Sequence, residues 1–306
     1  MQHPGQAERP RVHPYRLNER IIDRAEFSDR SSPSMRSTLE KTSHRPWPLP
    51  TGPWAMTQRW NDLLFAHWPV RVAEIEALLP EGLEVDVFQG SAWLGVVPFW
   101  LDRIQMRGLP AIPGARQFPE LNLRTYVRDT QTGTPGVYFF SLDAANLLAV
   151  VVARSFFHLP YYWAQMSIKP AKFGTGRERE FSFFSRRLLS SKPVHFAARY
   201  RGLGPTFKLA QSRLGTIEYF LTERYCLFSR DSLGRLQRAN IHHMPWPLEE
   251  AEAEISQNDL AAHIGLELPA TKPILHYSRQ LAVYVWPSEL VQAPVLATGP
   301  AVAAAQ

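Results

Sequence analysis

Three polar residues alternate with leucines along a segment that is predicted to be a β-strand. Residues 120–127 read E-L-N-L-R-T-Y-V, which places Glu120, Asn122 and Arg124 on one face of that strand. If this face lines the interior of a barrel, the acid and the guanidinium must pair with each other or with a ligand, because an unpaired buried charge is costly. The alternative interpretations are an exposed strand face and an internal ion pair without a ligand.

Two pairs of adjacent residues carry groups suited to acid–base or metal chemistry. Tyr161 and Tyr162 point in opposite directions if the segment is extended, so one phenol can reach an interior as a donor or weak acid. Aromatic packing with a satisfied hydroxyl is the alternative. His242 and His243 diverge in the same way, and we expect one in the core and one on the surface rather than a shared metal.

The remaining candidate residues indicate structure rather than catalysis. Glu223 and Arg224 end a predicted helix and are interpreted as an internal ion pair, and the single cysteine, Cys226, as a small buried hydrophobe. One cysteine excludes an internal disulfide and any multi-cysteine metal site. The sequence contains no nucleotide-binding glycine motif and no G-x-S-x-G elbow. We therefore expect no metal and no cofactor, and the motifs assign no catalytic residue.

The charge distribution argues against a nucleic-acid partner. Residues 1–50 carry nine basic and six acidic side chains, half of the net charge of +6, so the rest of the chain is only mildly basic. Nucleic-acid binders usually concentrate Lys and Arg on one face. No apolar run approaches the ~20 residues that span a bilayer. We expect a cytoplasmic protein with a small-molecule ligand and no membrane partner; the oligomeric state is left open.

Composition divides the chain into three parts. Residues 1–45 are rich in Arg, Ser, Pro and His and poor in large apolar side chains, which predicts a disordered or artefactual extension, with Met35 and Met56 as alternative starts. Residues 46–288 contain no linker or repeat and are predicted to form one domain. Residues 289–306, rich in Ala, Pro and Val, are predicted to be a disordered tail.

Hydrophobic periodicity predicts many strands and few helices. Strands are predicted over residues 83–88, 93–101, 120–127, 137–142, 164–168, 180–185, 194–200, 225–229, 235–242 and 279–285, the first two forming a hairpin. Helices are predicted over 72–79, 143–157 and 216–224, and 249–255 is ambiguous. The second helix starts at Asp143 as N-cap and is apolar all round, so we expect it to be buried. The predicted class is α+β, mainly β: an antiparallel cone or barrel with flanking helices.

Seven strings of this body together resemble the YqjF-like family of uncharacterised bacterial proteins, over residues 47–286. They are F-A-H-W-P-V at 65–70, W-L-G-V-V-P-F at 93–99, F-P-E-L-N-L-R-T-Y-V at 118–127, F-F-S-L-D-A at 139–144, H-L-P-Y-Y at 158–162, L-T-E-R-Y at 221–225 and I-H-H-x-P-W-P-L at 241–248. That family is in turn similar to acetoacetate decarboxylase, a β-cone around a buried pocket. The resemblance implies the same fold here.

The residues that match the decarboxylase lack its nucleophile. The enzyme carries an arginine, a proline six residues later and then two lysines, the first of which forms a Schiff base; Arg154 and Pro160 keep this spacing. Tyr161 and Tyr162 stand where the lysines would be, and the enzyme's strand glutamate falls near Glu120. Tyrosine cannot form an imine, so we do not expect decarboxylation through one. The next lysines along the chain, Lys169 and Lys172, are predicted to be solvated.

Three classes of function remain open. The leading one is a small-molecule-binding barrel with Glu120, Asn122, Arg124, Tyr161 and Tyr162 as candidate ligand contacts. The second is a lyase- or hydrolase-like enzyme without a Schiff base that uses Glu120 and Tyr161 as acid and base; the third is a protein-interaction module, indicated only by nine tryptophans. A buried glutamate of raised pKa facing a cavity favours the enzyme. A filled interior favours the interaction module.

Overall fold

The computed structural model describes residues 35–109, 117–171, 180–208 and 214–291. Its strands are β1 (Met56–Val70), β2 (Leu83–Val85), β3 (Ala92–Met106), β4 (Gln117–Asp129), β5 (Pro135–Ala144), β6 (Tyr161–Ala171), β7 (Glu180–Arg187), β8 (His195–Gly202), β9 (Phe207–Lys208), β10 (Cys226–Arg230), β11 (Leu236–His243), β12 (Pro247–Asn258), β13 (Ile274–Val285) and β14 (Glu289–Leu290). Its helices are α1 (Met35–Glu40), α2 (Val72–Glu76), α3 (Leu147–Phe156), α4 (Ile217–Thr222) and α5 (Leu260–His263). The mainly β class predicted from the sequence is confirmed.

The strands close into two rings that share a wall. The nine-strand barrel has the order β5-β6-β7-β8-β12-β13-β1-β3-β4 and closes because β4 also pairs with β5. The seven-strand ring consists of β13, β1, β3, β4, β5, β10 and β11, and it closes through the pairing of β11 with β13. Five strands therefore have one face toward each interior.

Alternation along β4 divides its side chains between these interiors. Leu121 and Leu123 enter the core of the nine-strand barrel, where they join aromatic side chains such as Phe183 and Phe196. Glu120, Asn122 and Arg124, which alternate with these leucines, face the seven-strand ring instead. The period-2 pattern in the sequence thus separates a packed core from a second, more polar interior.

A bulge in β1 shifts its alternation. The pairing of β1 with β3 is irregular between Asn61 and Ala66, and Asp62 has a φ of 49°. An extra residue of this kind reverses which side chains face each side, so Trp60 before the bulge and Leu63 after it both face the seven-strand ring. The strand has no simple period, which is why the sequence did not predict it.

The predicted hairpin between residues 83–88 and 93–101 is wrong. β2 pairs with β4, whereas β3 lies between β1 and β4. Only the isolated bridge between Phe88 and Ser91 remains of the expected turn. The hairpin was expected because the two segments are close in the sequence. In the structure, β3 is paired with β1 on one side and with β4 on the other, which leaves no free edge for β2.

The segment 249–255, which the sequence left ambiguous between helix and strand, lies within β12.

Helix α3 differs from the buried helix that its apolar sequence predicts. It begins after Asn146, whose Oδ1 accepts a hydrogen bond from Ala149 N at 2.9 Å. The expected N-cap, Asp143, lies within β5 instead. Leu147 and Val151 are 49% and 52% exposed, so only one side of the helix packs against the strands.

Within the described ranges, no helix is long and apolar enough to cross a membrane.

Part of the predicted N-terminal extension packs against the strands. Thr38 in α1 and Arg45 are buried, and Arg45 Nη1 donates to the carbonyl of Ile241 at 2.7 Å. The structure thus places residues from 35 onward with the body, and residues 1–34 lie outside the described residues. At the other end, the predicted tail begins with β14, which pairs with β11, and residues 292–306 lie outside the described residues.

Candidate functional site

A cavity of about 110 Å³ lies inside the seven-strand ring. Its walls are largely aliphatic and aromatic, with Trp60, Phe99, Phe139 and Trp246 among them. Four of the five candidate ligand contacts predicted from the sequence line it: Glu120, Asn122, Arg124 and Tyr161. A mostly apolar hollow with a few converging polar groups is the usual form of a small-molecule site.

Glu120 and Tyr161 form a buried pair in this cavity. Tyr161 is the first residue of β6, which starts beside β5, and its hydroxyl donates to Glu120 Oε2 at 2.8 Å. Burial raises the pKa of Glu120 to about 8, outweighing the hydrogen bonds from Tyr161 and Asn122 that favour the anion. Burial and the neighbouring Glu120 also raise the pKa of Tyr161. At neutral pH, Glu120 is therefore a neutral acid that can donate its proton to a hydrogen bond.

Asn122 and Arg124 are buried with incomplete hydrogen bonding. Asn122 Oδ1 and Arg124 Nε have no hydrogen-bond partner. Arg124 Nη2 reaches the hydroxyl of Tyr126 and the carbonyl of Leu221, both at 3.4 Å. Most buried polar atoms in proteins are hydrogen-bonded, so these two atoms are places where a ligand would gain a contact.

Helix α4 closes the ring beyond Arg124. The Tyr126 hydroxyl donates to Leu221 O at 2.7 Å, and both residues are fully buried. The helix is capped at its start, where Thr216 Oγ1 accepts a hydrogen bond from Tyr219 N at 3.3 Å. The opposite end of the cavity is lined by half-buried side chains of β1, β3 and α3.

The predicted ion pair between Glu223 and Arg224 is wrong. Arg224 Nη1 pairs with Asp86 at 2.6 Å. Glu223 accepts hydrogen bonds from the backbone N–H of Trp246, at 2.8 Å, and from the hydroxyl of Tyr225. Burial raises the pKa of Glu223 to about 7. Adjacent residues at a helix end point in different directions, so the two charges find separate partners.

The fifth predicted contact, Tyr162, does not line the cavity. Its ring lies 3.8 Å from Arg187 Cζ and 5.9 Å from the His263 ring. Arg187 in turn pairs with Asp143 at 2.7 Å, and both of these side chains are buried. The two tyrosines thus diverge, as their adjacency predicts, and only Tyr161 belongs to the candidate site.

Both adjacent histidines are buried, so the prediction of one surface histidine is wrong. His242 Nε2 lies 2.8 Å from Thr38 O, because α1 covers this part of β11. His243 lines the cavity beside Trp246. Burial lowers the pKa of His242 to about 4 and that of His243 to about 3. In the described ranges, no three metal-ligating side chains cluster together.

No lysine of the described residues lines the cavity. Lys169 is exposed on β6, and Lys172 lies outside the described residues. Arg154, the arginine of the decarboxylase-like spacing, is exposed on α3. Trp60 and Trp246 also line the cavity and were not predicted from their residue types or spacing. Trp246 lies in one of the seven family-like strings, which is the signal for it in the sequence.

Solved structures with a similar fold are named as enzymes, and one of them was solved with pyruvate. An enduracididine biosynthesis enzyme, MppR, solved with pyruvate, matches with a TM-score of 0.54 and 12% identity, over 79% of this chain and 92% of that one. An acetoacetate decarboxylase-like enzyme from Sphingomonas wittichii RW1 matches with a TM-score of 0.51 and 14% identity, over 79% and 94%. Acetoacetate decarboxylase from Legionella pneumophila matches with 0.50 and 13%, over 87% and 98%. The fold is therefore acetoacetate decarboxylase-like.

Sequence comparison gives a nearer relationship. The uncharacterized protein YqjF of Bacillus subtilis (strain 168) is 47% identical over 239 residues, covering 78% of this chain and 93% of that protein. The sequence profile of DUF2071, described as an uncharacterized conserved protein, matches residues 57–282. This range reaches into every strand of both rings, and the chain belongs to the DUF2071 family.

Proposed function

We propose that the protein binds a small organic molecule inside the seven-strand ring, with Glu120, Asn122, Arg124 and Tyr161 as its polar contacts. The observation that carries the proposal is the cavity itself, which combines apolar walls with buried polar atoms that lack partners. Residues that only stabilise a core normally satisfy such atoms internally. A hollow interior also argues against an interaction module, for which a filled ring is expected.

The fold neighbours support a ligand in this region. MppR was solved with pyruvate bound, so at least one protein of this architecture holds a small carbonyl compound. In the present chain, the protonated Glu120 and the phenol of Tyr161 can hydrogen-bond a carbonyl or hydroxyl oxygen. Neither side chain can form the imine that a lysine forms.

Native mass spectrometry of the purified protein tests this proposal. We expect the folded protein to carry a co-purified small molecule that is released on denaturation. Ala239 lines the cavity, so Ala239→Phe should fill part of it and abolish the mass increment. Ala262→Phe, at an exposed position on α5, is the matched control and should keep it. A mass increment that persists in Ala239→Phe would place the ligand elsewhere and reject the proposal.

A second candidate is an enzyme that uses Glu120 as a general acid. The raised pKa of Glu120, close to the working pH, favours this role because proton transfer is most efficient there. Glu120 gives its proton to the ligand carbonyl oxygen while a water molecule takes a proton from the adjacent C–H bond, which forms the enol; the reverse reaction returns a solvent proton to the carbon and restores the acid. Tyr161 holds the carboxyl group in position through its 2.8 Å hydrogen bond.

Exchange of the pyruvate or acetoacetate methyl and methylene protons in D₂O, followed by NMR, tests the enzyme candidate. The enzyme should accelerate exchange over buffer, Glu120→Gln should lose the acceleration, and Glu250→Gln, at an exposed position, should retain it. No acceleration by the native protein rejects the enzyme and leaves the binding proposal intact. Borohydride added with either compound should leave the protein mass unchanged, whereas an adduct on any lysine would establish imine chemistry.

A further inference from the structure

The closed end of the seven-strand ring carries more positive than negative charge. Arg124 and Arg224 both lie against Tyr126, with Cζ atoms 5.8 and 5.1 Å from its ring centre. Asp86 pairs with Arg224 at 2.6 Å and with the partly exposed Arg128 at 2.8 Å. Arg224 and Arg128 thus share one carboxylate, and among the described residues no carboxylate pairs with Arg124.

Arg124 is buried without a counter-ion. It is 8% exposed, and its Nε has no hydrogen-bond partner. Burying a cation without an opposing charge is costly. Glu120 does not supply that charge, because it lies four residues away, about 13 Å along the strand. Its pKa of about 8 also keeps it neutral at pH 7.

On the β3 side, the wall between Arg124 and the mouth of the cavity is apolar, whereas the β4 side carries Asn122 and Glu120. The residues of β3 that face the ring carry no charge or hydrogen-bonding group: Val97, Phe99, Leu101, Ile104 and Met106. Ile104 and Met106, at the mouth, are half-buried, whereas the residues nearer to Arg124 are buried. A ligand that fits this shape has a charged end deep in the ring and a hydrocarbon body that extends outward.

We propose, on the basis of the binding function proposed above, that the ligand is an elongated monocarboxylic acid. Its carboxylate pairs with Arg124 and accepts a hydrogen bond from the unpartnered Nε. Its hydrocarbon body lies along β3 and passes out through the mouth beside Met106 and α3, because a cavity of about 110 Å³ does not enclose a long chain. This assignment goes beyond a generic organic ligand, and it predicts weak binding of short oxo acids such as pyruvate, which are too small to occupy the apolar wall.

Titration calorimetry with matched acids and alcohols tests the assignment. Hexanoate, octanoate and decanoate are compared with the corresponding primary alcohols, with pyruvate and with acetoacetate. We expect each acid to bind at least about tenfold more tightly than its alcohol, and affinity to rise with chain length. Arg124→Met should lose the preference for the acid while retaining the affinity for the alcohol. Arg230→Met, which removes an exposed charge on β10, should behave as the native protein does.

We expect Arg124→Met to remain folded, because a contact that does not involve Arg124 holds α4 against the ring. The Tyr126 hydroxyl donates to Leu221 O at 2.7 Å independently of Arg124, so we expect α4 to keep its attachment when Arg124 is replaced. Arg124→Lys retains the charge and should recover part of the preference for the acid. Retention of the native folding transition in both variants separates a binding effect from a folding effect.

The outcomes distinguish this assignment from the proposed binding function. Equal affinity for acid and alcohol in the native protein, with binding abolished by Ala239→Phe, overturns the carboxylate assignment and leaves the cavity as a binding site. An acid preference that persists in Arg124→Met also overturns it, because the anion site then lies elsewhere. Tighter binding of pyruvate than of octanoate overturns the elongated body. Insensitivity of all binding to Ala239→Phe contradicts the proposed function itself.

Discussion

The two interiors of this protein share five strands, and two polar sites on those strands differ in how far they are satisfied: the Asp62 carboxylate of β1 and the polar side chains of β4. In the nine-strand barrel, the Asp62 carboxylate accepts hydrogen bonds from Trp100 Nε1 at 2.8 Å and from the Tyr277 hydroxyl at 2.5 Å. In the seven-strand ring, Asn122 and Arg124 keep atoms without partners. The comparison indicates that the carboxylate at the bulge stabilises the fold, whereas the polar groups of the ring await a ligand.

The largest expected effect comes from removing the satisfied carboxylate. Asp62→Ala leaves the donors of Trp100 and Tyr277 buried and unpaired, and we expect it to lower the free energy of unfolding by about 4 kcal/mol. Asn122→Leu, in the ring, should change it by less than about 1 kcal/mol, because the loss of the hydrogen bond from Asn122 to Glu120 is offset by the removal of an unsatisfied buried acceptor. Urea denaturation measures both. Similar losses for the two variants would contradict the division between the interiors.

The next largest effect on stability comes from enlarging a buried side chain in each interior. Ala198 lies in the packed core of the nine-strand barrel, and Ala239 lines the cavity. Ala198→Phe should destabilise the protein by about 2 kcal/mol through overpacking. Ala239→Phe should cost little or stabilise the protein, since it occupies existing space. Thermal denaturation of the two variants beside the native protein makes the comparison, and an equal loss would show that the ring is as tightly packed as the barrel.

Alternation of apolar and polar residues was sufficient to predict most strands and the shared face of Glu120, Asn122 and Arg124. It failed at β1, because the bulge at Asp62 interrupts the period, and at the hairpin, because strand pairing depends on neighbours distant in sequence. It also failed for α3, since composition does not show which side of a helix meets solvent. The wall formed by Trp60 and Trp246 required knowledge of the second ring.

A smaller effect follows from the titration of Glu120. Its pKa is raised to about 8 in the folded protein, so between about pH 5 and 8 the folded state holds a proton that the unfolded chain has released. Stability therefore falls as pH rises through this window, by up to about 1.4 kcal/mol per pH unit from this group. Glu120→Gln should remove that slope.

Unfolding free energies at pH 5, 6, 7 and 8 measure the Glu120 contribution. The gain of Glu120→Gln over the native protein should increase from pH 5 to pH 8. Glu250→Gln, at an exposed position, should give a constant difference. A gain for Glu120→Gln that does not change with pH would show that Glu120 is already ionised in the folded protein.

The most direct test of the account is a crystal structure of the protein as purified, without added ligand. We predict non-protein electron density inside the seven-strand ring, within hydrogen-bonding distance of Arg124 or the Glu120–Tyr161 pair, and none in the nine-strand barrel. The same crystals of Ala239→Phe should lack this density. A ring filled by its own side chains, with Arg124 paired to a carboxylate of the chain, would contradict the claim that the ring is a ligand site.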